Sequence, residues 1–132
     1  MTDPEQVVRK FCSAVDRKDL EAVAALLDEM VVYHNVGTEP AVGRKETLAA
    51  LQFQFDMFEP IAFRIRHLAV SGDTVLTERV DEVTANGIMA AVPVMGAFDV
   101  HDGRIKVWRD YFDMGLTGKL LAGDDVGSLL PD

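Results

Sequence analysis

Arg79 and Asp81 place opposite charges on one face of a predicted strand. Side chains alternate along residues 75–83, so the pair shares its face with the apolar residues Val75 and Val83. If this face points inward, both ions lose their hydration, and they persist there only if they are paired and hydrogen-bonded or used for chemistry. The alternative is a solvated ion pair on an edge strand, which is far commoner than a catalytic pair.

Asp110 is a second acidic residue in an apolar setting. It shares a strand face with Trp108 and Phe112. If the two aromatic rings are buried, so is the carboxyl, and burial would raise its pKa whereas a nearby cation would lower it. The alternative is that the opposite face of this strand points inward and Asp110 lies outside.

Tyr33 and Asn35 share a face at the end of an earlier strand, and each supplies a neutral hydrogen-bonding group. A Tyr hydroxyl and an Asn carbonyl can together hold a water molecule. The same two residue types are also ordinary at the end of a strand, so this pair alone is a weak signal.

Together these residues supply two carboxyls, one guanidinium and two neutral polar groups. Such a set suits the opening of an epoxide by water, which needs an acid at the departing oxygen and a base on the water. Two nearby carboxyls share one proton because like charges resist double ionisation. An arginine between them would compensate the remaining charge and orient both groups.

The composition limits the class of protein. The 132 residues predict one domain, 1–132, and 48% hydrophobic with 27% charged residues is typical of a globular protein. No apolar run approaches the roughly 18 residues that cross a bilayer, so we expect no membrane segment. The start, Met1-Thr2-Asp3-Pro4-Glu5, lacks the basic and apolar regions of a secretory signal, and we expect a cytoplasmic location.

A net charge of −9 disfavours binding to nucleic acids or anionic membranes. The single cysteine, Cys12, cannot form an internal disulfide and is predicted to be a small buried hydrophobic residue. The three histidines show no zinc-ligand spacing, so no metal is expected.

The elements that position these residues begin with helices. Asp3-Pro4 is a helix-start signal, and the spacing of apolar residues predicts a helix over 4–17. Asp19 is expected to cap a second helix, with Leu27 in its inner stripe. A third helix is predicted over 44–57, after a short strand from Met30 to Asn35.

From Pro60 onward the hydrophobic period changes to two, which predicts strands. Asn86-Gly87 indicates a hairpin into a long strand, Ile88 to Val100, which Pro93 and Gly96 are expected to bend or bulge. A last strand follows from Arg104 to Phe112. Helices first and strands afterwards predict an α+β domain in which the N-terminal helices cover the concave face of a curved sheet and leave room for a pocket.

Four segments give the chain a recognisable pattern. In order and spacing they resemble the limonene-1,2-epoxide hydrolase family, over about residues 4–113; they are Tyr33-His34-Asn35, Pro40-Ala41-Val42-Gly43-Arg44, Thr77-Glu78-Arg79-Val80-Asp81 and Trp108-Arg109-Asp110-Tyr111-Phe112-Asp113. The resemblance implies a cone-shaped, mixed-sheet fold like that of nuclear transport factor 2 and the SnoaL-like proteins. It also implies a homodimer and cofactor-independent hydrolysis of a lipophilic epoxide to a vicinal diol.

The same resemblance assigns roles to five residues. Asp110 is the general base for a water that Tyr33 and Asn35 also hold, Asp81 is the protonated general acid, and Arg79 bridges the two aspartates. It implies a single displacement by water, without a covalent enzyme intermediate.

The C-terminal segment from Met114 to Asp132 departs from the family's C-terminal helix, because its glycines weaken a helical pattern. Because this segment would close the pocket, the resemblance does not fix the size of the substrate. The residues expected to line the pocket are Met30, Val32, Leu51, Phe55, Met89, Met95, Phe98, Trp108 and Phe112.

Two other functions remain open at this point. A ketosteroid-isomerase-like or polyketide-cyclase-like enzyme would use carboxyls and a Tyr on the same scaffold, but a guanidinium between two aspartates suits water activation better. A noncatalytic module that binds a small lipophilic molecule is the other possibility.

Overall fold

The computed structural model of the chain describes residues 3–132. Met1 and Thr2, which begin the segment considered above for a secretory signal, lie outside this range. The helices are α1 (Pro4–Asp16), α2 (Leu20–Leu26), α3 (Arg44–Met57) and α4 (Met114–Leu121), with a final 3-10 turn at Gly127–Leu129. The strands are β1 (Leu27–Asn35), β2 (Ala41–Val42), β3 (Ile61–Ser71), β4 (Thr74–Ala85), β5 (Ile88–His101) and β6 (Arg104–Tyr111).

The first two helices begin at the aspartates predicted to cap them. The Asp3 side chain accepts a hydrogen bond from the Glu5 backbone N–H, and Pro4 occupies the first turn, where its missing N–H costs nothing. Asp19 accepts from the backbone N–H of Ala22 in the same way. These caps fix the start of both helices.

The six strands form one sheet in the order β2-β1-β6-β5-β4-β3. Strands β3 to β6 form an antiparallel meander, whereas β1 runs parallel to β6. The sheet is therefore mixed, and the predicted α+β class with a curved sheet is confirmed. The parallel pairing brings the end of β1 beside the end of β6, where Asn35 pairs with Asp110.

The core lies between one face of the sheet and the helices. Helix α1 packs mainly on β3, α3 on β1 and α4 on β5. Cys12 is buried here, as predicted, and burial raises the pKa of its thiol to about 12. In the part of the chain that the structure describes, no helix is long and apolar enough to cross a membrane.

Three features of the secondary structure differ from the predictions. Leu27 is the first residue of β1 and not part of α2, and the short strand β2 was not predicted. The β4–β5 register runs without a shift past Pro93 and Gly96; the irregularity lies between Asp99 and Val100, against β6.

The C-terminal segment also differs, because α4 forms despite its glycines. The Asp113 side chain accepts a hydrogen bond from the Leu116 backbone N–H and caps the helix. Contacts with β5 then hold the helix against the sheet. Packing and the cap therefore outweigh the low helix propensity of glycine.

Candidate active site

Arg79 lies at the centre of a buried charge cluster on the inner face of the sheet. Its side chain is fully buried, and Asp81 and Asp110 are 8% and 3% exposed. Arg79 donates to Asp81 through Nε (3.0 Å) and Nη2 (2.9 Å), and to Asp110 through Nη1 (3.0 Å) and Nη2 (2.9 Å). One guanidinium thus bridges both carboxyls in the two-pronged geometry that arginine favours.

The remaining guanidinium hydrogen is also used. Nη1 donates to Oγ1 of Thr77 (3.4 Å), whose hydroxyl in turn donates to the Gly96 carbonyl (3.3 Å). The guanidinium also lies 4.6 Å from the ring centroid of Phe63, within cation–π distance. With all five N–H groups engaged, the position and plane of the guanidinium are fixed.

Gly96 allows the three strands to bring these side chains together. It pairs with Thr77 on β4 and with Asp110 on β6, so the three residues form a row across the sheet. A Cβ atom at this position would lie 2.7 Å from the Asp110 carboxylate and would collide with the Arg79 guanidinium. The bare backbone of Gly96 therefore makes room for the ion cluster.

Burial and charge act in opposite directions on the cluster. Burial raises the pKa of Asp81 to about 6, although Arg79 partly offsets the shift. For Arg79, burial lowers the pKa, but the attraction of Asp110 and Asp81 outweighs it and holds the pKa well above its usual value. The guanidinium stays charged, and the raised pKa favours a retained proton at Asp81.

Trp108 connects Asp110 to Tyr33. Its indole Nε1 donates to Asp110 (2.9 Å), and its ring stacks on Tyr33 with centroids 3.7 Å apart and an interplanar angle of 14°. Burial and the negative charge of Asp110 raise the pKa of the Tyr33 hydroxyl, so it stays protonated at neutral pH. Tyr33 is thus a rigidly held neutral phenol beside the carboxyl.

A pocket of about 160 Å³ opens above the cluster. All five predicted residues reach this part of the molecule: four of them line the pocket and Arg79 lies behind its two aspartates. The pocket is lined by Tyr33, Asn35, Gln54, Phe58, Phe63, Asp81, Val83, Val92, Val94, Asp110, Phe112, Thr117 and Leu121. Its walls are mostly apolar and its polar groups converge at one end, which is typical of a small-molecule site.

The predicted apolar lining needs correction. Of the nine residues expected, Phe112 lines the pocket. Four of the expected residues alternate with the inward residues of β1 and β5 and so point to the opposite face of the sheet. These four are Met30, Val32, Met89 and Met95. Those that belong to the packed core are Leu51, Phe55, Phe98 and Trp108.

Several residues of the pocket wall were not predicted, among them Gln54 on α3 and Thr117 and Leu121 on α4. Gln54 lies at helical spacing from Leu51 and Phe58, which was a usable signal for an inward position. Helical spacing could not be used in the same way for Thr117 and Leu121, because no helix was predicted over these residues. Among residues 3–132, no group of three or more His, Cys, Asp or Glu side chains is arranged to hold a metal ion.

Comparison with known proteins gives matches in sequence and in structure. Residues 2–119 match the family model of the limonene-1,2-epoxide hydrolase catalytic domain. The chain is 36% identical over 109 residues to epoxide hydrolase EphG of Mycobacterium tuberculosis, which covers 81% of this chain and 71% of that protein.

Solved structures give the same picture. A limonene-epoxide-hydrolase-like enzyme of M. tuberculosis superposes with a TM-score of 0.82 at 33% identity, over 90% of this chain and 84% of the other. A protein from Shewanella denitrificans that carries the name SnoaL-like polyketide cyclase superposes with a TM-score of 0.83 at 16% identity, over 92% of this chain and 98% of the other. The second likeness shows the fold alone, and it agrees with the expected nuclear-transport-factor-2-like and SnoaL-like architecture.

Proposed function

Because this chain belongs to the limonene-1,2-epoxide hydrolase family, we propose that it hydrolyses a lipophilic epoxide to a vicinal diol in one step and without a cofactor. Membership of this family supports epoxide hydrolysis in general. The mechanism, the roles of the residues and the kind of epoxide are proposed in addition. The observation that carries it is the bridge from Arg79 to both Asp81 and Asp110 at the polar end of an apolar pocket.

The reaction uses the two carboxyls in opposite roles. Asp110 takes a proton from a water molecule, whose oxygen attacks one carbon of the epoxide. The carbon–oxygen bond breaks, and the departing oxygen takes the proton of Asp81. Each turnover leaves Asp110 protonated and Asp81 ionised, so one proton must pass from the first carboxyl to solvent and one must return to the second.

The surroundings of the two carboxyls support this assignment. Asp110 accepts three N–H donors, two from Arg79 and one from Trp108, whereas Asp81 accepts two. Burial raises the pKa of Asp81, which favours a retained proton. Asp110 also lies beside Asn35 in the sheet register and faces the pocket with Tyr33, so the water is expected at this end.

The pocket suggests the kind of substrate. A cavity of about 150 Å³ holds a molecule the size of benzene, and this pocket measures about 160 Å³. We propose a compact, largely hydrocarbon epoxide, for which cyclohexene oxide is a suitable probe. The homodimer, the cytoplasmic location and a single domain over 1–132 stay predictions.

The alternative functions are less well supported by this arrangement. An isomerase needs a carboxylate base and neutral donors to a developing oxyanion, and the buried guanidinium between two carboxyls is not explained by that chemistry. A noncatalytic binding module does not require a buried ion cluster, which is costly to desolvate.

The test is turnover of cyclohexene oxide in isotope-labelled water by the wild type and by Asp110→Asn. We expect label in the diol within the first turnover, and a loss of kcat of at least about a hundred-fold in the variant, the usual contribution of a general base. Asp102→Asn, in the exposed β5–β6 turn, is the matched control and should keep full activity. Full activity of Asp110→Asn with an unchanged fold would disprove the base assignment.

A further inference from the structure

Gln54 is a pocket residue with no role in the chemistry described so far. It lies on α3, is half-buried, and its side-chain Nε2 donates a hydrogen bond to the Tyr33 hydroxyl oxygen (3.1 Å). We propose that Gln54 is a positioning residue that makes Tyr33 a hydrogen-bond donor to the nucleophilic water. This inference rests on the proposed function and deepens it.

The Tyr33 hydroxyl has a single hydrogen to donate, and the lone pairs of its oxygen accept. Because the amide of Gln54 donates to the oxygen, the Tyr33 hydrogen has no acceptor on that side and must turn elsewhere. The stacked Trp108 ring fixes the plane of Tyr33, and the side chain of Asn35, like that of Gln54, acts on the phenol as a hydrogen-bond donor that lowers its pKa. The hydrogen of Tyr33 is therefore left to turn toward the pocket, which Tyr33 lines.

The polarity of Tyr33 decides how the water is held. A water that attacks a carbon needs one lone pair free for the new bond. Its two hydrogens can be donated to Asp110 and to the side-chain carbonyl oxygen of Asn35. A Tyr33 that donates occupies the other lone pair and completes this arrangement. A Tyr33 that accepts would compete with Asp110 for the proton that the base must remove.

The test uses the opposite hydrogen-bonding character of two replacements at position 54. Gln54→Leu removes the donor, and Gln54→Glu puts a carboxylate there, which only accepts and would draw the Tyr33 hydrogen toward itself. With cyclohexene oxide as probe, we expect kcat to fall about ten-fold in Gln54→Leu and further in Gln54→Glu, with KM within about two-fold.

Gln52 provides the matched control on the same helix. It is exposed and donates to Asp56 instead (2.8 Å). Gln52→Leu and Gln52→Glu should therefore leave kcat unchanged, which separates the effect of position 54 from a general effect on α3.

Tyr33→Phe shows whether Gln54 acts through the phenol. In that background we expect Gln54→Leu to have no further effect on kcat, because coupled residues are not additive. An effect of Gln54→Glu on kcat that persists in the Tyr33→Phe background is due to the added charge and does not act through the phenol. An undiminished effect of Gln54→Leu, or a Gln54→Glu variant as active as the wild type, would overturn the inference.

A neutron structure of the deuterated wild-type protein keeps this inference distinct from the proposed function. The inference predicts the Tyr33 deuterium directed into the pocket and two deuterium atoms on the Gln54 nitrogen that faces the phenol. A deuterium directed at Gln54 would refute it. If the wild type hydrolyses no epoxide, the proposed function fails, and the neutron map still decides how Gln54 orients Tyr33.

Discussion

Arg79 shows why a buried ion cluster can persist in a domain of this size. Removing two carboxylates and a guanidinium from water is costly, and the cost is offset only when the donors and acceptors are satisfied. Arg79 uses all five N–H groups, and among residues 3–132 no buried side-chain nitrogen or oxygen lacks a partner. One excess negative charge remains when both carboxyls are ionised, and a proton on Asp81 removes it.

The protonation of Asp81 predicts how stability and activity depend on pH. Its pKa is raised from 3.8 to about 6 in the folded protein, so the folded state binds this proton more tightly than the unfolded chain. The stabilisation is complete below pH 3.8 and is lost as the pH rises through about 6. The free energy of unfolding in urea should therefore fall over this interval, and kcat/KM should decline as the acid loses its proton.

Asp81→Asn isolates this contribution, since every other titrating group is retained. Subtracting the variant's pH profile of unfolding free energy from that of the wild type should leave a fall between about pH 4 and about pH 6. Identical profiles would mean that Asp81 holds no extra proton in the folded state and is unsuited to the acid role.

At the scale of elements, the first three helices and most strands could be predicted because their signals are local. The caps at Asp3 and Asp19 and the change of hydrophobic period after Pro60 each depend on a few neighbouring residues. Alternation also placed Arg79 with Asp81 on a common face. Their proximity to Asp110 followed only from the pairing of strands, and the family pattern supplied what periodicity could not.

The pocket walls could not be predicted for a physical reason. Alternation tells which residues of one strand share a face, but the register between strands decides which of those faces meet. Met89 and Met95 lie at positions of the same parity in β5 and both point to the outer face, because the β4–β5 register runs past Pro93 and Gly96 without a shift. Helix α4 depended on packing against β5, a contact distant in sequence.

Leu121 tests whether α4 sets the size of the substrate. It lines the pocket from the last turn of this helix. Leu121→Ala should widen the pocket and shift the kcat/KM ratio toward a ten-carbon cyclic epoxide over cyclohexene oxide by about ten-fold, the usual scale for apolar pocket groups. Steady-state kinetics with both substrates measures the ratio.

Leu129→Ala removes the same atoms from an exposed position in the 3-10 turn and should leave the ratio unchanged. An equal ratio in Leu121→Ala and the wild type would mean that α4 does not limit the substrate.

At the scale of the whole molecule, the sheet has a second face that the helices leave uncovered. Leu76, Met95 and Tyr111 are exposed on this outer face, and Met95 pairs directly with Tyr111 in the β5–β6 register. Contiguous exposed apolar side chains are typical of surfaces that contact another protein. This outer face is therefore a suitable interface for the homodimer that the family resemblance implies.

The dimer prediction can be tested through both this face and the charge of the chain. Each chain carries a net charge of −9, so two copies repel one another, and salt should strengthen their association by screening that repulsion. Sedimentation equilibrium should give twice the 14.5 kDa mass of one chain, with a dissociation constant that decreases as salt is added.

Met95→Glu should shift the equilibrium to the monomer, because it places a charge within the apolar face. Phe53→Glu puts the same charge on an exposed position of α3 and should leave the dimer intact. A Met95→Glu protein that sediments as the wild type does would exclude this face as the dimer interface, and a wild type that stays monomeric at high salt would refute the dimer itself.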